Sequence, residues 1–183
     1  MSQITFLCNR IHDVEWSGVL FFKDSGEIGT DDFKLETDNI YLLDIGTQAW
    51  TDYEMEAEDL MEIYDENPHY MEEGWRMAHI HSHNNMSSYF SGQDIATLKQ
   101  HSIGCDFLLS VIVNNKGEIV AKYGINEATE KDKEVEVYNV DKKGWFSIDD
   151  LLNGFKKAKK TVKISVPTCT IYDLEVEHDY RTS

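Results

Sequence analysis

Two histidines one residue apart, followed by a Ser-x-x-Asp run, constrain this chain more than any other feature. His81 and His83 end an apolar stretch, and Ser91 and Asp94 follow after seven intervening residues. Alternate residues of a strand point to the same face, so both imidazoles can converge on one metal ion. A helix that begins at Ser91 places Asp94 in its first turn. Two nitrogens and one carboxylate oxygen are the protein ligands of an open catalytic zinc site.

A structural interpretation of the same residues is also available. Histidines in a strand can be packed or exposed, and Ser-x-x-Asp commonly caps a helix without binding anything. The complete spaced set rarely occurs by chance, which favours the metal site. His79 lies on the same predicted face, as a further ligand, a neighbour in the cleft or a packed histidine, and His101 is predicted to be structural.

The spacing from His81-Ser82-His83 to Ser91 and Asp94 resembles the signature of the JAMM (also MPN or JAB) metalloprotease family. Members of that family hydrolyse peptide or isopeptide bonds next to ubiquitin-like proteins. The resemblance implies a zinc ion held by His81, His83 and Asp94. It also implies that the Ser91 hydroxyl stabilises the tetrahedral intermediate and that a glutamate from an upstream strand is the general base.

The run from Glu15 to Leu20 is similar to the Glu-x-x-Gly-x-Leu strand that carries the base in this family. We therefore assign Glu15 as the general base, with Glu27 and Glu54 as alternatives. If the assignment is wrong, Glu15 is a solvent-exposed carboxylate of an edge strand. Family members commonly carry a helix before this strand, and with only 14 residues before Glu15 we expect that helix to be lost or replaced.

Asn84 marks a departure from the family pattern, because many members have proline directly after the second histidine. The Asn84-Asn85-Met86 run, followed by Phe90-Ser91-Gly92, resembles phage and bacterial members. The resemblance is strongest over residues 75–98 and extends over residues 1–125.

Charge and composition exclude several classes of protein. The chain has 34 acidic and 17 basic residues among 183, and 41% of its residues are hydrophobic. This composition is typical of a folded protein. A net charge of −17 disfavours binding to nucleic acid or to an anionic membrane. The one basic run, residues 156–160, is predicted to be the solvated end of a helix.

Cysteine usage and the N-terminus indicate a cytoplasmic protein, in the host cytoplasm if a phage encodes it. Cys8, Cys105 and Cys169 are odd in number and far apart, so we expect free thiols in a reducing compartment. The N-terminus has no apolar signal region, and no stretch is long enough to span a membrane. The sequence leaves the oligomeric state open.

Apolar periodicity predicts an α/β fold with a mixed β-sheet flanked by helices. An acidic helix is predicted from Asp52 to about Glu66, capped by Thr51 and ended by Pro68. Ten carboxylates between Asp52 and Glu73 form either a solvated helix face or a landing surface for a basic segment. The other predicted elements are strands at Ile4–Cys8, Val14–Phe22, Ile40–Ile45, Trp75–His83, Phe107–Val113 and Glu118–Tyr123, and a helix at Asp94–His101.

The last third carries no motif. Residues 126–132 are predicted to be a loop, Glu134–Val140 a strand, Ser147 the cap of a helix, and Val162–Glu177 a β-rich tail. We expect residues 1–125 to form the core with the cytidine-deaminase-like architecture that the JAMM resemblance implies. Residues 126–183 are then an αβ extension or part of the same domain.

The predicted function is zinc-dependent hydrolysis of a peptide or isopeptide bond, next to a ubiquitin-like protein or in an extended tail. The expected partner is a protein or peptide substrate, with a basic segment if the acidic stretch binds it. The alternative is a non-catalytic interaction module in which the metal stabilises the fold. A zinc deaminase is disfavoured because it requires a Pro-Cys-x-x-Cys run that this chain lacks.

Overall fold

The computed structural model describes residues 2–28, 30–51, 55–138 and 157–176. The chain divides into two compact units. One comprises the chain up to Asn126 and again from Cys169, and the other is Glu127–Thr168. The described elements in chain order are α1 (Gln3–Arg10), β1 (Trp16–Ser25), β2 (Lys34–Ile45), α2 (Ala57–Glu66), a 3-10 turn (Pro68–Met71), β3 (Trp75–Ser82), α3 (Gly92–Ser102), β4 (Phe107–Val113), β5 (Ile119–Tyr138) and β6 (Lys157–Leu174).

The six strands form one mixed sheet in the order β2-β1-β3-β4-β5-β6. β1 is antiparallel to β2 and β3, and β4 is antiparallel to β5. β3 and β4 are parallel, and α3 lies in the crossover between them. This arrangement confirms the predicted α/β class with a mixed sheet and flanking helices. Every residue of β4 is buried, as its apolar sequence predicted.

The helices cover both faces of the sheet. Residues of α1 pack with Leu20 and Ile80 in one apolar cluster. Ile63 of α2 packs with Val19 and Phe21 in a second cluster. Alternation along β3 therefore places His79 and His81 on the α2 face, since they alternate with Ala78 and Ile80 of the first cluster. No helix among the described residues is long and apolar enough to cross a membrane.

The prediction of a strand at Ile4–Cys8 is wrong, because these residues belong to α1. Ser2 caps the helix by accepting a hydrogen bond from the amide of Thr5. Ile4, Leu7 and Cys8 follow helical spacing, and a short apolar run can satisfy either period. A helix therefore precedes Glu15, at the place where the JAMM resemblance led us to expect that the family's helix is lost or replaced.

The predicted start of the acidic helix is also wrong. α2 begins at Ala57, with Glu56 as an N-cap that makes no side-chain hydrogen bond. The Thr51 hydroxyl donates instead to the carboxylate of Asp44, at 3.0 Å. Residues 52–54, which include the alternative base Glu54, lie outside the described residues. The predicted end before Pro68 is confirmed, since α2 ends at Glu66.

The C-terminal third contains more strand than the sequence predicted. Residues 126–132 were predicted to be a loop but lie in β5, and Lys157 to Lys160 begin β6 rather than ending a helix. In the unit Glu127–Thr168 the two strands carry charged cross-strand pairs, such as Lys163 with Glu130 at 2.9 Å. A strand that is exposed on both faces needs no alternation of apolar and polar residues. The sequence here therefore lacks the two-residue period by which a half-buried strand is recognised. The predicted β-rich tail is confirmed as β6. The helix predicted after Ser147 lies outside the described residues, and the boundary after residue 125 stays a prediction.

Candidate metal centre

β3 and α3 bring three potential metal ligands together. His81 Nε2 lies 3.1 Å from His83 Nε2 and 3.4 Å from Asp94 Oδ1, and His83 Nε2 lies 4.0 Å from Asp94 Oδ2. Both histidines are buried and Asp94 is half-buried. Ligand atoms about 2.0–2.2 Å from a tetrahedral ion are about 3.3–3.6 Å apart, which is close to this spacing. The group can therefore hold one metal ion.

A hydrogen bond on the far side of the His83 ring sets its tautomer. Nδ1 lies 3.1 Å from the carbonyl oxygen of Ser87. A carbonyl oxygen can only accept, so Nδ1 carries the proton and Nε2 presents its lone pair to the ligand group. Asn114 supports this loop by donating to the carbonyl of Met86, at 2.8 Å.

Ser91 and Asp94 form the predicted capping box at the start of α3. The amide of Ser91 donates to Asp94 Oδ2 at 2.7 Å, and the amide of Asp94 donates to Ser91 Oγ at 3.2 Å. The carboxylate is thereby oriented with Oδ1 toward His81. Because Ser91 Oγ accepts in this pair, its proton can be donated to another group.

Glu15 is buried directly before β1 and lines the same cavity as the three ligands. Its amide donates to the carbonyl of Thr47 at 2.7 Å, and its carbonyl accepts from the amide of Gly46 at 3.0 Å. The next amide, that of Trp16, donates to the buried hydroxyl of Ser82 at 3.0 Å. These three bonds attach the Glu15 backbone to β3 and to the segment after β2.

Burial raises the pKa of Glu15, the charge of Asp94 raises it further, and His83 acts in the opposite direction. The cavity therefore contains a carboxyl group whose proton affinity is higher than usual. Of the two alternative bases, Glu27 is exposed and Glu54 lies outside the described residues.

The structure explains why glycine occupies position 18, three residues after Glu15. The pairing of β1 with β2 shifts register between Ser17 and Gly18. A Cβ atom at Gly18 would lie 2.3 Å from the carbonyl oxygen of Tyr41, which is too close for any other residue without a backbone shift. The irregularity therefore requires glycine here.

The cavity has a volume of about 430 Å³ and extends beyond the ligands to His79, His101 and Ser110. The rings of His79 and His101 are nearly perpendicular, with centroids 5.0 Å apart. Burial, together with the neighbouring His101 and His81, lowers the pKa of His79 to about 4, so His79 is neutral at pH 7. His79 is not part of the three-ligand group found among the described residues, whereas His101, predicted to be structural, lines the cavity.

Two large aromatic side chains at the cavity were not singled out from the sequence. Trp50 is 53% exposed and Tyr89 is 60% exposed, and both line the cavity. Each lies in a loop, where no apolar periodicity distinguishes a binding residue from an ordinary exposed aromatic. Their recognition depends on seeing which loops meet at the metal ligands.

Asn84 connects these loops. Its side-chain amide donates to the carbonyl of Gln48 at 2.7 Å, and its backbone has a positive φ of 38°. Proline has φ fixed near −65° and no amide side chain, so it could provide neither feature. The departure from the family pattern at this position therefore has a local structural cause.

No protein-family model matches this chain, and no curated protein matches it either. The resemblance to the JAMM family thus depends on the spacing and arrangement of Glu15, His81, His83, Ser91 and Asp94.

Proposed function

We propose that this protein is a zinc-dependent hydrolase of the JAMM type that cleaves a peptide or isopeptide bond. The observation that carries the proposal is the convergence of His81, His83 and Asp94 in one cavity with the buried carboxyl of Glu15. The parallel β3–β4 pair with its α3 crossover supports the cytidine-deaminase-like architecture expected of that family.

The donor set suits zinc, because three protein ligands with an open position are typical of catalytic zinc sites. Two histidines and a carboxylate also bind Fe(II) in oxygenases. The adjacent buried Glu15 favours hydrolysis, which needs a base next to the metal. Metal analysis separates the two ions directly.

Each site residue has a role that follows from its surroundings. Zinc held by the three ligands would polarise the scissile carbonyl and lower the pKa of a coordinated water to about 7. Glu15 accepts a proton from the attacking water and transfers it to the leaving amine, and its raised pKa brings it nearer to neutral pH. The Ser91 hydroxyl donates to the developing oxyanion.

The alternative of an interaction module with a structural metal is less well supported. Structural zinc sites are closed by four protein ligands, whereas the described part of the chain groups three beside a cavity of about 430 Å³. Deaminase chemistry is also disfavoured, since none of Cys8, Cys105 and Cys169 lines the cavity.

The test combines metal analysis with a panel of peptides and ubiquitin-like isopeptide conjugates. We expect about one zinc per chain, since one group of three ligands is present among the described residues. Glu15→Gln should keep the metal and lose about 100-fold or more in kcat, because the base is removed. Glu27→Gln is the matched control, an exposed glutamate outside the cavity, and should behave as wild type.

Activity of Glu15→Gln at the wild-type level would show that the base lies elsewhere. Zinc binding without hydrolysis of any substrate in the panel would favour the interaction module. Stoichiometric iron in place of zinc would overturn the proposed chemistry.

A further inference from the structure

We infer that Trp50 and Tyr89 form a specificity rim that selects substrates with a bulky apolar side chain next to the scissile bond. The inference rests on the proposed function, since it assigns the substrate class of the same cleft. Both side chains line the cavity of the metal ligands while exposing more than half of their surface. They come from separate segments, one after β2 and one after β3.

The Trp50 side of the rim is a built turn. The amide of Thr47 donates to the carbonyl of Trp50 at 2.7 Å. A Cβ atom at Gly46 would lie 2.1 Å from that same carbonyl oxygen, so the turn depends on glycine at its start. The backbone at Gly46 and Thr47 also bonds to Glu15. The turn therefore places Trp50 in a fixed relation to the proposed base.

The Tyr89 side of the rim is attached to a metal ligand. The Tyr89 ring lies edge-on to the His83 ring, with centroids 5.7 Å apart. The loop between them is held by the bond from His83 Nδ1 to Ser87 and by a bond from the amide of Ser88 to the Glu118 carboxylate, at 3.2 Å. Tyr89 is thus exposed on a loop that these hydrogen bonds hold in place.

Asn84 joins the two sides, because it follows His83 directly and its side chain donates to Gln48 in the Trp50 turn. Met86, also exposed, adds a third apolar side chain to the lining. Elsewhere the lining is largely polar and includes His79, His101 and Ser110. An apolar substrate side chain would therefore find its apolar contacts at the rim.

The chemistry of the rim indicates what it binds. Trp and Tyr offer large apolar surface with little side-chain entropy to lose, so each ring that is covered adds affinity. Acidic side chains gain little from these two rings and would face the carboxylates of Glu15 and Asp94. The predicted order of preference is aromatic, then aliphatic, then small polar, with acidic side chains last.

The test uses hydroxamates, which chelate the metal without being hydrolysed. The probes are acetohydroxamate and N-acetylated amino-acid hydroxamates of Phe, Leu, Ser and Glu, with a second series that carries the same residues on the amine side. Binding to the zinc-loaded protein is measured by calorimetry. We expect the Phe probe of one series to bind about 10-fold more tightly than the Ser probe.

Trp50→Ala and Tyr89→Ala should each reduce this preference by about 3- to 10-fold while changing the acetohydroxamate Kd less than twofold. Phe6→Ala is the matched control, because Phe6 is 57% exposed on α1 and does not line the cavity. If both rim variants keep the wild-type preference for the Phe probe, this inference is wrong and the proposed function is unaffected. The inference is also wrong if light scattering shows that the rim variants differ from the wild type in oligomeric mass, because the rim would then be an interface between copies. If acetohydroxamate does not bind the wild type, the metal site itself fails, and both proposals with it.

Discussion

Ser91 and Asp94 hydrogen-bond to each other in both directions, each through its backbone amide to the other's side chain. One residue therefore caps α3 and is also proposed to stabilise the oxyanion. Capping α3 requires either a side-chain acceptor at position 91 or a residue whose backbone can form the N-cap without one. Stabilising the oxyanion requires the hydroxyl proton of Ser91. These requirements can be separated by substitution.

Ser91→Gly should keep the fold and lose activity. Glycine is a fair N-cap that costs only a few tenths of a kcal/mol, whereas Ser91→Ala should cost about 1 kcal/mol. Loss of the hydroxyl should lower kcat by about 100- to 1000-fold. Urea unfolding and steady-state kinetics measure the two effects. The control is Ser2→Gly, since Ser2 caps α1 in the same way; activity of Ser91→Gly within threefold of wild type would restrict Ser91 to its capping role.

Zinc should stabilise the wild type and leave ligand variants unaffected. A ligand at 100 times its Kd stabilises the native state by about 2.7 kcal/mol. Asp94→Ala and the double variant His81→Ala with His83→Ala should lose this gain, because too few ligands remain for an open site. Urea midpoints with and without zinc give the shift. His12→Ala replaces an exposed histidine and serves as control; a full zinc shift in the double variant would refute the site.

The metal-free protein should lose stability in mild acid, and His79 should contribute. Its pKa is lowered to about 4 in the folded chain by burial, with His101 and His81 adding to the effect. Unfolded histidine titrates near 6.5, so below that pH the unfolded state binds more protons and the free energy of unfolding falls. The stability that neutral His79 contributes is fully present above about pH 6.5 and is lost as the pH falls toward 4.

The measurement compares urea unfolding at pH 7 and pH 4.5 in the presence of a chelator. The loss of stability between these two values should be roughly 2 kcal/mol smaller in His79→Gln than in wild type. Each protein is compared with itself, so a general destabilisation of the variant does not affect the result. Equal losses in the two proteins would mean that His79 is protonated as easily in the folded chain as in the unfolded one.

Gly18→Ala should disturb β1, the strand that directly follows Glu15. The added methyl group would lie 2.3 Å from the carbonyl oxygen of Tyr41, in the strand that pairs with β1. We expect a loss of about 1–3 kcal/mol, as for other overpacked sites, together with reduced kcat. Gly104→Ala is the control, since a methyl group at Gly104 would have no neighbouring atom within 4 Å among the described residues. Wild-type stability of Gly18→Ala would show that β2 can move away at little cost.

The acidic face of α2 should steer basic substrates. Glu58, Glu62 and Glu66 are exposed on α2, which covers the same sheet face as His79 and His81. Replacing the three by Gln should lower kcat/KM for a basic peptide up to about 10-fold at low salt and leave kcat unchanged. The effect should vanish near 1 M salt, where the screening length is about 3 Å.

The control variant for steering removes three negative charges that lie outside α2, those of Glu27, Asp31 and Glu36. Glu36 pairs with Lys23, near the end of β1 opposite to Glu15. Superimposable salt titrations of the α2 variant and the wild type would show that α2 only presents a solvated face.

Local patterns in the sequence determined the central elements of this protein. The limits of β4, the strand that carries His81 and the capping box of α3 were all predictable, because each depends on side-chain period or on hydrogen bonds within four residues. The same reasoning failed where two periods fit one short run, as in Ile4 to Cys8, and where Thr51 bonds to Asp44 instead of capping a helix.

Tertiary structure alone decided how the cleft is assembled. Trp16 bonds to Ser82 across 66 residues and Asn84 to Gln48 across 36, and no local period encodes either bond. Trp50 and Tyr89, which come from separate loops, line the same cavity as His81, His83 and Asp94 only because of such contacts between distant segments. The sequence could indicate which residues can hold a metal ion, since these candidates lie at the end of one strand and in the next helix. It could not indicate what surrounds them, because that depends on contacts between segments far apart in the chain.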